Sequence, residues 1–266
     1  MVMSLRRIRK KTSKLVDELI ALRDSRKSID DFCFSYFVNF YDSCHLMHSF
    51  VKSGGMNKEL LAIAYRQYYV FLVSCWETFF RDIFVYVHTQ DESLTDRLLV
   101  KLKPAIDAFN DDDISLPELL SKSFNFQNIN DLDEAFSELW GANFLKYVCT
   151  TNVGACGLNG KISDDFFVNN LFCDWHEDIV KTFTIRHKVV HDANFRPEVD
   201  FSFIQRAEAL FLVIPQIATQ VIAERFNLGR IVFQKGELCV PYIFTVSEIL
   251  SNDWQVNNAN WCKETD

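Results

Sequence analysis

The chain has 266 residues, 48% of them hydrophobic, and a formal net charge of −8. That length suits one large domain or two small ones around a sizeable core. The acidic balance excludes a general polyanion binder, so any nucleic-acid contact has to come from a local basic patch.

Eight glycines and five prolines are too few for a turn-rich all-β fold. No apolar run reaches the ~18 residues of a membrane span, so no membrane partner is expected. The first element to carry a pattern is residues 4–50, where Leu15, Leu19, Leu22, Ile29, Phe32, Phe37 and Phe40 recur at helical spacing. Its start holds six basic residues, Arg6, Arg7, Arg9, Lys10, Lys11 and Lys14, and no acidic one. It lacks the apolar stretch of a signal peptide, which points to the cytoplasm. The run reads first as a solvated helix end and second as a contact to RNA backbone. Eight scattered cysteines, several inside apolar patterns, read as free thiols of a reduced compartment.

Ser53-Gly54-Gly55 breaks the first pattern, and a second helix is predicted over about 57–88. Its apolar face runs through Leu60, Leu61, Ala64, Tyr68, Phe71, Leu72, Cys75, Phe79, Ile83 and Val87, wide enough for a helix encased by neighbours. Residues 91–173 are less regular. Shorter helices are predicted over 94–110, 115–123, 131–139 and 142–149, and an irregular loop over 150–160. The glycines of that loop lack the spacing and lysine of a phosphate cradle. A third long helix is predicted over about 174–193 and a fourth over 201–226, with Pro215 expected to kink it. A short β-hairpin is predicted from 231–233 and 238–242. The fold expected is therefore all-α: a bundle of four principal helices with an inserted helical region at about 91–173, together residues 1–228, then a small C-terminal hairpin and tail at 229–266. Phe71, Leu72, Phe79, Ile83, Ile185, Val189, Phe211 and Ile214 are the expected core.

The segment Thr184-Ile185-Arg186-His187-Lys188-Val189-Val190-His191-Asp192 carries the chemistry. An arginine followed after four residues by a histidine resembles the HEPN family, whose ribonucleases carry Arg, a polar residue, three more residues and His. Arg186, His187 and His191 match that pattern, and Val189-Val190 match its apolar pair. Cys75-Trp76-Glu77-Thr78-Phe79-Phe80-Arg81-Asp82-Ile83 looks like the second-helix signature of one branch, that of RiboL-PSP-type HEPN domains. Phe124-Asn125-Phe126-Gln127-Asn128, with residues 132–140, looks like the insert of that branch. The resemblance covers roughly 5–226. It implies a HEPN-like bundle, an RNA substrate, and two motifs meeting across a dimer axis. It also implies a toxin or anti-phage role held in check by an antitoxin or another regulatory protein.

The residue types suffice for such chemistry. RNA carries its own nucleophile, the 2′-OH beside each phosphate. A histidine takes or gives a proton near neutrality, and the planar fork of an arginine suits phosphate oxygens. Arg186 and His191 are thus the candidate catalytic pair of a metal-independent endoribonuclease, with His187, Lys188, Glu77 and Arg81 in supporting positions and no cofactor. Geometry raises a difficulty: five residues turn a straight helix by about 140° past a full turn, so the pair does not share a face. Either the helix ends near Val190, or the long arginine reaches around. The plain alternative is that both side chains only cap a helix C-terminus.

Glu77 and Arg81, one turn apart, form either a simple ion pair or the border of the cleft, with Glu77 orienting Arg186 or His191. His187 and His191 share a face, but Lys188 stands where a metalloprotease needs its glutamate. Cys149, Cys156, Cys173 and His176 make a weak zinc set, and Cys44, His45 and His48 read as ordinary helix residues. Two further functions compete with the nuclease: a non-catalytic HEPN-like scaffold that binds RNA or protein, and a helical interaction domain with no nucleic-acid role.

Overall fold

In the computed structural model, the described residues are 29–52, 57–102, 115–140, 143–151, 153–156, 162–166, 168–198 and 200–228. The basic run near the N-terminus and the hairpin expected near 231–242 lie outside them. The described chain is overwhelmingly helical. Four long helices make its frame: α1 (Ile29–Lys52), α2 (Lys58–Gln90), α9 (Trp175–His191) and α10 (Phe201–Arg225). Between α2 and α9 come α3 (Glu92–Leu102), α4 (Leu116–Ser121), α5 (Ile129–Ala135), α6 (Ser137–Trp140), α7 (Phe144–Thr150) and α8 (Val168–Leu171). Two short strands, β1 (Val153–Cys156) and β2 (Ile162–Phe166), interrupt this inserted region.

These strands correct the sequence reading, which expected irregular loop over 150–160. They pair antiparallel, Ala155 opposite Ser163 and Cys156 opposite Ile162, with the register shifting between Val153 and Ala155. Four- and five-residue strands are too short for a period-2 pattern to stand out, and the glycines around them read as loop.

Helix α2 is the spine, 33 residues and about 50 Å long. Asn57 starts it by accepting the Leu60 amide at 2.8 Å. Helices α1, α9, α10 and α4 all pack on it. This is why Trp76, Phe80, Ile83 and Phe84, which share one face of the helix, are wholly excluded from water. The insert closes over its C-terminal half through aromatic contacts. Phe84 meets Phe124 and Phe126 at 5.5 and 5.8 Å, and Phe136 stacks on Phe144 at 4.4 Å. Of the expected core, Leu72, Phe79, Ile83, Val189, Phe211 and Ile214 are buried, and Ile185 is partly buried. Phe71 is the exception, 44% exposed. It projects between α1 and α2 at the surface, where it lines cavities of about 220 and 400 Å³.

The second central helix is α10. Its segment Ser202–Arg225 is long and apolar enough to cross a membrane, yet 94% of its most apolar window is buried inside the protein, the pattern of a core helix. It runs unbroken through Pro215. A proline donates no N–H, so the carbonyl four residues back, that of Phe211, loses its helical donor. The Tyr36 hydroxyl of α1 supplies the missing hydrogen bond. The same helix buries Glu208 completely. His48 Nε2 lies 3.0 and 3.1 Å from its two carboxylate oxygens, and the Tyr68 hydroxyl also donates to it. His48 is therefore more than an ordinary helix residue: it joins α1 to α10 through a buried acid.

Candidate active site

Helix α9 carries the candidate residues and is built with its charges sorted. Glu177 and Asp178 occupy its first turn, and Lys188 and His191 its last, each sign at the end of the helix dipole that favours it. One stripe is buried: Trp175, Asp178, Ile179, Thr182, Phe183 and Val189. Arg206 of α10 pins it by a two-point contact to Asp178, at 2.9 and 3.3 Å.

Arg186 belongs to this stripe, three residues from both Phe183 and Val189. It is partly buried; its Nε is shut off from water and has no hydrogen-bond partner. Among the described residues its guanidinium has no carboxylate partner either. His187, Lys188, Val190 and His191 face solvent. The His187 and His191 rings lie 4.4 Å apart. The helix runs to His191 itself, and Asp192 closes it by donating its amide to the Lys188 carbonyl at 2.8 Å. The first of the two resolutions is thus met halfway. His191 is the last helical residue, yet it still points away from the face that holds Arg186.

Glu77 and Arg81 are bonded to each other. Glu77 also accepts from Gln127, and Arg81 lies 6.0 Å from the Phe126 ring centre. The pair thus ties α2 to the turn that precedes α5. Neither Arg186 nor His191 is a partner of Glu77, so the structure does not bring the two halves of the supporting set together. Lys188 lies over Phe195, 5.6 Å from the ring centre, just beyond the helix end. Of the cysteines and histidine weighed as a zinc set, Cys149 is buried, and Cys173 and His176 are exposed. Among the described residues no three His, Cys, Asp or Glu side chains form a group that could hold a metal, and the Cys156 side chain lies outside them.

One residue escaped the sequence reading. Arg66 of α2 reaches the far end of α9, with Nη2 at 3.5 Å from both the Val189 and Asp192 carbonyls. Helices α2 and α9 run antiparallel, since Trp76 meets Phe183 at 6.0 Å ten residues further along α2. Arg66 and Arg186 therefore flank one seam, and the Nε of each is buried without a partner. The signal was present: Arg66 shares the stripe of Tyr69, Val73, Trp76 and Phe80, where a charge is out of place.

The chain matches the RiboL-PSP-HEPN family over residues 45–222. It belongs to that family. The matched span holds Arg66, Glu77, Arg81 and the whole Arg186-to-His191 segment of this HEPN chain. It begins at residue 45, so the likeness seen from residue 5 in the sequence is not covered over 5–44. No curated protein and no solved structure matches the chain. HEPN domains associate with RNA and its cleavage, which gives the local basic residues their context. Arg186, His187, Lys188 and His191 lie in the last two turns of α9 and Arg66 reaches its end, in a chain that is acidic overall.

Proposed function

We propose that this protein is a metal-independent endoribonuclease that cuts RNA through its own 2′-OH. The observation that carries the reading is the guanidinium of Arg186, unpaired among the described residues, in one motif with the exposed His191. In this reading His191 removes the 2′-OH proton, and the alkoxide attacks the adjacent phosphorus. The phosphorus–5′-oxygen bond breaks, and the leaving oxygen takes a proton from a second histidine. Arg186 neutralises the charge on the phosphoryl oxygens. The products are a 2′,3′-cyclic phosphate and a 5′-hydroxyl, with no water consumed in that step.

The two faces of α9 bear on assembly. Within one chain His191 looks away from Arg186, so a two-fold homodimer that abuts the two ends of α9 supplies the second histidine, the partner subunit's His191, and completes the cleft. Exposed Val190, together with Leu60 and Ile63 on the neighbouring end of α2, gives that contact apolar surface. A cell would need to restrain such an activity, by an antitoxin or another regulator, as expected of a toxin or an anti-phage effector. The free cysteines Cys33, Cys44, Cys75, Cys149 and Cys173 suit a reduced, cytoplasmic setting.

A second reading, an RNA- or protein-binding scaffold without catalysis, is favoured by one observation: Arg186 is tucked into the packed stripe of α9. Incubating the purified protein with total RNA in EDTA separates the two. The nuclease reading predicts fragments ending in cyclic phosphate. Intact RNA that is nonetheless bound supports the scaffold, and cleavage that EDTA abolishes and Mg²⁺ restores rejects the metal-independent mechanism.

A further inference from the structure

We infer that Arg66 is a positioning residue for His191; the inference rests on the reading of Arg186 and His191 as the cleavage site. The last turn of any α-helix leaves its carbonyls without helical donors. In α9 the Lys188 carbonyl is served by the Asp192 amide and the Asp192 carbonyl by the Phe195 amide, at 2.8 and 3.1 Å. The Val189 carbonyl receives Arg66 Nη2, and the same nitrogen reaches the Asp192 carbonyl. Those two carbonyls bracket Val190 and His191 in the chain. Arg66 thus ties both sides of the histidine to α2, the helix on which α1, α4, α9 and α10 pack. With that tie the backbone of His191 is fixed relative to the seam that carries Arg186.

A cap alone does not account for the arrangement. A surface lysine or arginine caps a helix end with its charged head in water. The Arg66 Nε is instead buried and unpaired, a costly place for a donor. A second guanidinium in the same condition, Arg186, stands on the same seam less than one turn before Val189. The cost is offset if holding the end of α9 in place is what the site requires. Placement errors of about 1 Å at a reacting group lower rates on the order of 10²-fold, so a tie at this point acts on turnover.

The test is made on the full chain with Arg66→Met and Arg66→Lys. In RNA cleavage, Arg66→Met should lower kcat on the order of 10²-fold with KM changed less than about twofold. Arg66→Lys, which still donates to carbonyls, should recover most of the loss. An unchanged kcat with a lower melting temperature makes Arg66 a plain cap and overturns the inference. A rise confined to KM makes it a substrate contact and also overturns it. A second readout needs no cleavage: the ring-proton NMR signals of His191 should move in Arg66→Met while those of His176 stay. Unmoved His191 signals sink the inference whether or not the protein cuts RNA. If wild type cuts nothing and the His191 signals move, the positional link stands and the nuclease reading falls. Should Arg66→Met fail to fold, the Arg66→Lys spectrum and kcat decide by the same criteria.

Discussion

Acidification should unfold this protein through His88. The ring is 3% exposed and packs at a tilt against Phe84, 4.3 Å between ring centres. Its Nδ1 is 3.3 Å from the Thr95 hydroxyl, which donates to the His88 carbonyl. Burial is the main influence on its proton affinity, and it outweighs the Ala135 backbone bond and the Asp91 and Glu138 charges that favour the charged ring. The pKa falls from its ordinary 6.5 to about 4. The folded state therefore binds fewer protons than the unfolded chain between those values, and stability rises with pH across the window. The contribution is complete above about pH 6.5 and is lost as pH falls toward 4. The full interval corresponds to roughly 3 kcal/mol. Asp133 acts in the opposite direction, because burial raises its carboxyl pKa and acid relieves that cost. A control that isolates the histidine is thus needed. Urea melts of wild type and His88→Gln between about pH 7 and pH 4.5 supply it. The wild type should lose on the order of 2–3 kcal/mol more than the variant over that range. Equal slopes for the two proteins would refute the reasoning, since they would mean that His88 does not titrate on unfolding.

Other outcomes follow from the same contacts. Glu208→Ala strips the acceptor from His48 and Tyr68 and should cost on the order of 3–5 kcal/mol; Glu208→Gln, which keeps the volume and one acceptor, should cost about 1–3 kcal/mol in the same urea melts. Tyr36→Phe leaves the Phe211 carbonyl buried with no donor, because Pro215 cannot replace it, and calorimetry should show a loss of about 1–3 kcal/mol. Arg186→Lys keeps the charge but loses the fork, so cleavage should fall on the order of 10²-fold while RNA retention on a filter largely persists.

The long helices were legible because their patterns are long. Residues 57–88 predicted what folds as Lys58–Gln90, and 201–226 what folds as Phe201–Arg225. Shorter elements were less so. The 131–139 helix is divided at Phe136, the residue whose ring stacks on Phe144, a contact distant from the local pattern. The strands at 153–166 depend on pairing with each other, which no local pattern announces. In the site, the motif named Arg186 and His191 directly. That they occupy opposite faces also follows from helix geometry alone. A charge on the apolar stripe of α2 marked Arg66 as unusual, but its contact with Val189 and Asp192, 123 and 126 residues later, was not legible, because only the antiparallel packing of α2 on α9 brings it to the helix end. Phe71 misled for a related reason: it fits the apolar spacing of α2, but among the described residues α1 leaves open cavities beside it instead of covering it.

The central claim is that His191 moves the proton in RNA cleavage. Its direct measurement is the cleavage rate of His191→Ala against wild type in EDTA, with RNA affinity and melting temperature taken on the same preparations. His191 is exposed, so its removal deletes no core volume and the melting temperature should hold. The account predicts a rate lower by on the order of 10²–10⁴ with RNA affinity little changed. Cleavage by His191→Ala at the wild-type rate would contradict it.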